Sequence, residues 1–218
     1  MILKHIYLYL NLNEYPVDVV RPFGFHTRYL CNYLERRLKA EKFHAEGFSK
    51  IAVEGKHFPD DSCLILPENA AVPGVLFEFE RYDTLAQEDR HEFYISMLSD
   101  GLAKCARHHC IPLNVLMQSI DDFRQAGYKN EWIHRVKLLR GTGIRASLLC
   151  RLSPERFVLD LQLERRGAVF YRERALETKP DEIIFAHRFK DVVLNEGSVI
   201  ILGMSGKPTF SVKLSEIQ

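Results

Sequence analysis

The sequence predicts an α+β protein: a mixed α/β part over residues 1–130 with two or three helices, then an antiparallel β-meander over 131–218. Three observations predict it. Apolar residues in the first part recur at helical spacing between short strand-like runs. From Glu131 the pattern changes to "WIHRVKLL", "RASLLCRL", "RFVLDLQLE", "AVFYRERAL", "EIIFAHRF", "SVIILGM" and "FSVKL", short runs with period-two or β-branched character. Turn signals ("RGTG", "LSPE", "ERRG", "NEGS", "SGKP") separate those runs. Tyr128–Asn130 marks the boundary, and the two parts are either separate domains or layers of one.

Residues 2–12 alternate, with Ile2, Ile6, Leu8, Leu10 and Leu12 opposite His5, Tyr7, Tyr9 and Asn11. A strand with two half-apolar faces is expected in the middle of its sheet. The stretch "EYPVDVVRPFGF" reads as a loop punctuated by Pro16, Pro22 and Gly24. Thr27 then caps a helix to about Lys42, whose buried stripe is Leu30, Leu34 and Leu38. Strands are expected near 48–54, 62–66 and 75–80, the last as "VLFEFE". Thr84 and Gln87 fit a capping box for a helix to about Cys110. Pro112 stops that helix and permits another, which Gly127 ends. In "RFVLDLQLE", Phe157, Leu159, Leu161 and Leu163 face the core, and Val158, Asp160, Gln162 and Glu164 form a wet face.

Composition narrows the function classes. Lys and Arg total 30 against 29 Asp and Glu, which argues against a chain built mainly to hold nucleic acid or an anionic membrane. The cysteines are Cys31, Cys63, Cys105, Cys110 and Cys150, odd in number and without framework spacing, so a reducing compartment is expected. The apolar start is broken by Lys4 and His5, and no run reaches the ~20 apolar residues of a membrane span. A cytoplasmic protein without a membrane partner is the expectation.

"CARHHC" (105–110) gathers two cysteines and two histidines. At about 100° per helical residue, Cys105 and His109 share the core-facing stripe with Tyr94, Leu98 and Leu102. Cys110 points about 140° away, so one tetrahedral site cannot close on an intact helix. Core packing and helix-end capping explain the motif without metal, and no cofactor is expected. "GMSGKPT" (203–209) lacks the first glycine and the hydroxyl of a phosphate loop and reads as a hairpin turn.

Two clusters remain as candidates for chemistry or contact. "GKHFPDDS" (55–62) places His57, Asp60 and Asp61 in one loop, a set able to hold a cation or move protons, although adjacent aspartates after proline also simply build turns. Arg165, Arg166, Arg172 and Arg174 surround one expected hairpin, with Arg172 and Arg174 on one strand face, where they could grip phosphate or carboxylate. The alternative is a charged edge that discourages strand aggregation.

The opening "MILKHIYLYLNLNEY", the Pro- and Gly-marked loop and the amphipathic "TRYLCNYLERRL" resemble small cytosolic immunity proteins of bacterial toxin–immunity systems, including those tied to type VI secretion. The resemblance covers about the first 40 residues and carries no diagnostic motif. It implies direct neutralising binding of one cognate protein toxin acting in the cytosol. Near-neutral charge argues against a basic nuclease as that toxin. Asp60, Asp61, Arg165, Arg166, Arg172 and Arg174, as exposed-loop and hairpin positions, are the expected partner contacts. The alternatives are an enzyme using the His57, Asp60 and Asp61 loop, and a nucleic-acid or nucleotide binder using the arginines of 165–174.

Overall fold

The computed structural model describes residues 1–217. It is α+β, with a helical N-terminal part and a strand-rich C-terminal part. The chain divides into two compact units, Met1–Asn130 and Glu131–Gln218.

In the first unit, β1 (His5–Leu10), β2 (Lys50–Lys56), β3 (Cys63–Leu66) and β4 (Ala70–Leu76) form one sheet in the order β1-β2-β4-β3. β1, β2 and β4 run parallel, and β3 is antiparallel to β4. The helices are α1 (Val17–Glu41), the short α2 (Phe79–Thr84), α3 (Arg90–His108) and α4 (Leu113–Gln125).

β1 is therefore an edge strand, not a central one. Its half-apolar second face has another cause: Tyr7 lies under the Arg28 guanidinium (5.0 Å from the ring centre) and stacks with His5. Ile6, Leu8 and Leu10 are buried as the alternation requires. The segment read as a loop is the start of α1. Pro16, at φ −69°, is preset for the position before a helix, and Pro22 is carried inside it. Leu30, Leu34 and Leu38 are each fully buried, and Lys42 ends the helix in a left-handed conformation. Thr27 lies mid-helix, and its hydroxyl donates to the Leu8 carbonyl instead of capping a helix start.

The strand read at 75–80 lies at 70–76. It contains Pro73, which the structure tolerates because the β2–β4 ladder skips Val72 and Pro73. Phe79 onward turns helical, and the Thr84 hydroxyl bonds back to Glu80 and Arg81 in the last turn of α2, so no capping box forms with Gln87. α3 crosses β2 closely: a Cβ on Gly101 would sit 2.4 Å from Val53 Cγ1. Phe23, Phe77, Tyr82, Phe93 and Tyr94 fill the space around α2 and α3 with edge-on and tilted ring contacts.

In the second unit, β5 (Asn130–Leu139), β6 (Ile144–Leu152), β7 (Phe157–Arg165) and β8 (Ala168–Thr178) form a meander in sequence order. β9 (Asp191–Asn195), β10 (Ser198–Leu202) and β11 (Pro208–Lys213) form a second antiparallel sheet. Between the sheets in sequence lies the one-turn α5 (Glu182–Phe185), started by Asp181 accepting the Ile183 N–H. Phe157 stacks on Phe185 (3.8 Å) and packs beside Phe189, joining β7 to that turn. The "GMSGKPT" segment is the β10–β11 turn, in which Gly206 at φ +77° donates to the Gly203 carbonyl.

The Gly101 contact gives a direct test of packing. Helix propensity alone makes Ala better than Gly by ~1 kcal/mol. Crowding a stiff, buried valine costs about 1–3 kcal/mol. G101A is therefore expected to lower stability in urea denaturation, and adding V53A to recover part of the loss.

Candidate functional site

The site is the corner where the 57–62 loop, β3 and the last turns of α3 meet. It unites two stretches that the sequence separates by more than forty residues, "GKHFPDDS" and "CARHHC". Lys104 Nζ donates to the carbonyls of Asp60 and Gly74, both at 2.5 Å, and so ties α3 to the loop and to β4. Arg107 pairs with Asp61 at 2.5 Å. Asp60 Oδ1 accepts from the Ser62 backbone N–H (2.9 Å) and hydroxyl (2.6 Å). This is an aspartate turn.

These bonds fix the electrostatics. Hydrogen bonds from Ser62 hold the Asp60 carboxyl below its ordinary value, and the Arg107 guanidinium does the same for Asp61. Both stay ionised through neutral pH, where a carboxylate accepts hydrogen bonds and has no proton to give. The His57 ring packs at 4.5 Å from Tyr15, and its backbone N–H donates to Glu14. Phe58 beside it is 93% exposed.

Behind the loop, Cys63 at the start of β3 and Cys105 in the last turns of α3 are both buried. His109 Nε2–H donates to the Cys63 carbonyl (2.8 Å), and its ring lies against Phe48. Cys105 is fully buried, as the helical stripe requires, and Cys110 is exposed. Among the described residues, no group of three or more His, Cys, Asp or Glu side chains is gathered to hold a metal ion.

β3 itself is the other half of the corner. Leu64, Ile65 and Leu66 are 64%, 41% and 41% exposed. Across the helix-free face, Leu64 is level with Val72 of β4. Next to Val72 the same row reaches Ala52 of β2, which is level with Tyr7 of β1. Among the described residues, no strand pairs with the outer side of β3. Cys63 sits opposite Pro73, which has no N–H, so that pair is not hydrogen-bonded and Cys63 turns its backbone groups outward. The alternation then turns the N–H and C=O of Ile65 outward too.

The β1 edge is treated in the opposite way. Ile6 N–H donates to Glu35 Oε1 (2.9 Å), Arg28 donates to the Ile6 carbonyl (2.9 Å), and Thr27 to the Leu8 carbonyl (2.8 Å). Arg28 and Glu35 are themselves paired at 3.2 Å, and α1 seals that edge.

The arginine candidates lie in the second unit. Arg172 donates through Nε and Nη2 to Asp160 Oδ2 (3.1 and 2.8 Å), and Arg151 reaches the same oxygen at 3.1 Å. Asp160, expected on a wet face, is 5% exposed because these long side chains from both neighbouring strands cover it; Val158 on that face is buried as well. Arg174 pairs with Glu177, which Arg156 also contacts. Arg165 lies over the Phe170 ring at 5.4 Å. Arg166 occupies the β7–β8 turn at φ +53°, before Gly167 at +84°. Structure thus brings Arg172 to a buried carboxylate and Arg174 to an exposed one, while Arg165 and Arg166 stay at the turn.

Sequence reasoning missed two features: the open edge of β3 and the covered Asp160. Only "CLIL" between turn residues hinted at the first. Comparison with protein-family models, with curated proteins and with solved structures returns no match. No helix among the described residues is long and apolar enough to cross a membrane.

The Asp160 cluster is testable by denaturation. D160A removes the charge that three guanidinium bonds converge on, and a loss of about 2 kcal/mol is expected, since hydrogen bonds to charged groups contribute ~1.5–3 kcal/mol each and the freed arginines regain water. R172A is expected to cost less, because Arg151 remains on the carboxylate.

Proposed function

We propose that this chain is a protein-binding module that takes an extended strand of a partner onto the open edge of β3. One observation carries the reading: β3 combines outward backbone groups at Ile65 with three exposed apolar side chains, at the one end of its sheet that no helix seals. Strand addition uses those two elements, main-chain hydrogen bonds for affinity and alternate side chains for specificity. Leu64 and Leu66 meet the partner on the helix-free face, and Phe58, exposed in the loop that leads into β3, is an aromatic side chain open to the same partner.

The two edges of the β5–β8 sheet differ from β3 in their charge. β8 presents Arg172, Glu173, Arg174 and Glu177. β5 carries Arg135 and Lys137, both paired with Asp191 at 3.1 and 2.7 Å. Charged edges of that kind discourage pairing.

The partner is a cognate toxin, which the chain neutralises from the cytoplasm as an immunity protein. That part rests on the resemblance of the first 40 or so residues. Asp60, Asp61 and Arg107 rim the edge with charge of both signs and suit a mixed polar rim.

The test captures partners of the immobilised chain from its source organism and repeats the capture with I65P and with the L64D/L66D pair. Proline removes only an outward N–H, and exposed leucine-to-aspartate changes stay within roughly ±0.5 kcal/mol, so the folds are expected to survive. A stoichiometric protein retained by the parent chain, lost by both variants, and toxic when expressed without this chain is the expected outcome. A partner held equally by all three chains contradicts the β3 assignment, and a partner without toxicity contradicts the immunity role.

A further inference from the structure

Several arginines of the second unit have a carboxylate partner. Arg135 pairs with Asp191, Arg151 and Arg172 with Asp160, and Arg156 and Arg174 with Glu177. Arg140, Arg145, Arg165 and Arg166 differ. Each is exposed, and among the described residues none of them enters an ion pair.

Sheet topology gathers these four at one end of the meander. In the order β5-β6-β7-β8, the β5–β6 and β7–β8 turns lie at the same end, two strand spacings or ~10 Å apart. Arg140 occupies the first turn and Arg166 the second. Arg145 follows Ile144, which is level with Arg165 at the end of β7. Residues 139–145 and 164–170 hold one acid, Glu164, level with Arg145, so this end keeps a net positive charge. The β6–β7 turn at the opposite end carries Glu155 beside Arg156.

Both turns are built in advance. The Thr142 hydroxyl donates to the Leu139 carbonyl (2.8 Å) and accepts from the Ile144 N–H (3.0 Å). Arg166 and Gly167, at φ +53° and +84°, take the left-handed conformations of a two-residue hairpin turn. The Arg165 guanidinium lies 5.4 Å from the centre of the Phe170 ring, which is half-buried.

We infer that this end of the meander binds single-stranded nucleic acid, with Arg140, Arg145 and Arg166 on phosphates and the stacked Arg165 and Phe170 receiving a base. All four cations are arginine, whose planar fork takes phosphate oxygens in pairs. The gap between the turns is wider than one phosphate group and is spanned by successive phosphates of a chain. A cationic track with an aromatic platform is the arrangement that holds single strands without reading their sequence. An acidic peptide or a lipid headgroup brings no flat ring for that platform. The near-balance of charge over the whole chain does not oppose this, because the four arginines act locally. The site lies in the second unit and does not depend on what binds β3.

The test follows the fluorescence anisotropy of a labelled oligouridine of about twelve nucleotides, titrated with the full chain over a range of salt. Saturable binding is expected, with a slope of log K against log salt near −2, since each phosphate contact on a single strand contributes about −0.7. R140A, R145A and R166A are each expected to make that slope shallower by about 0.7. F170A is expected to weaken binding about fivefold or more with the slope unchanged. R156A, at the opposite end, is expected to bind like the parent chain. These are surface changes, and thermal melts check that each variant folds. No binding at low salt, or binding that survives R140E/R145E/R165E/R166E, overturns the proposal. Retention on phosphatidylserine vesicles without oligouridine binding also overturns it and assigns the arginines to an anionic membrane.

Discussion

Every sheet that ends must dispose of the backbone donors and acceptors on its last strands, and the first unit solves this problem twice in different ways. At β1 the solution is internal: Glu35, Arg28 and Thr27 on α1 take the outward groups of Ile6 and Leu8. This fixes α1 lengthwise along the edge and places its leucine stripe on the buried face. At β3 the solution is incomplete. His109 takes the Cys63 carbonyl, and among the described residues no strand covers Leu64, Ile65 or Leu66 on the outer side. The two ends of the sheet therefore differ, with β1 closed by α1 and β3 ending the sheet on the other side.

The corner around β3 is held rigidly despite its exposure. Lys104 bonds two carbonyls from separate elements, Arg107 holds Asp61, and Ser62 closes the aspartate turn. An edge that is preorganised in this way loses less conformational freedom on binding, which favours affinity without large area. The same bonds give Asp60 and Asp61 a part in holding the loop, through Ser62 and Arg107. In the second unit Asp160 plays a comparable part by gathering Arg151 and Arg172, which leaves less free positive charge on that face than the arginine count suggests.

Much of the fold was legible in the sequence because it depended on local pattern. Leu30, Leu34 and Leu38 announced α1, and alternation in "RFVLDLQLE" announced the β7 face that packs inward. Proline misled at Pro22, which reads as loop punctuation and sits inside α1. Strand position was not legible at all. His5, Tyr7 and Tyr9 gave β1 a central appearance, although the cause was Arg28 stacking on Tyr7 and not a second neighbour strand. For the site, the helical geometry of Cys105 was readable, but the meeting of α3 with the 57–62 loop through Lys104 and Arg107 depends on tertiary packing, which no spacing encodes.

Hydrogen–deuterium exchange at single-amide resolution tests the central claim most directly, comparing Ile6 and Ile65 with and without the captured partner. Ile6, bonded to Glu35, is expected to be protected in both states, and Ile65 to exchange fast when free and slowly when bound. Unchanged exchange at Ile65 in a saturated complex contradicts strand addition at β3.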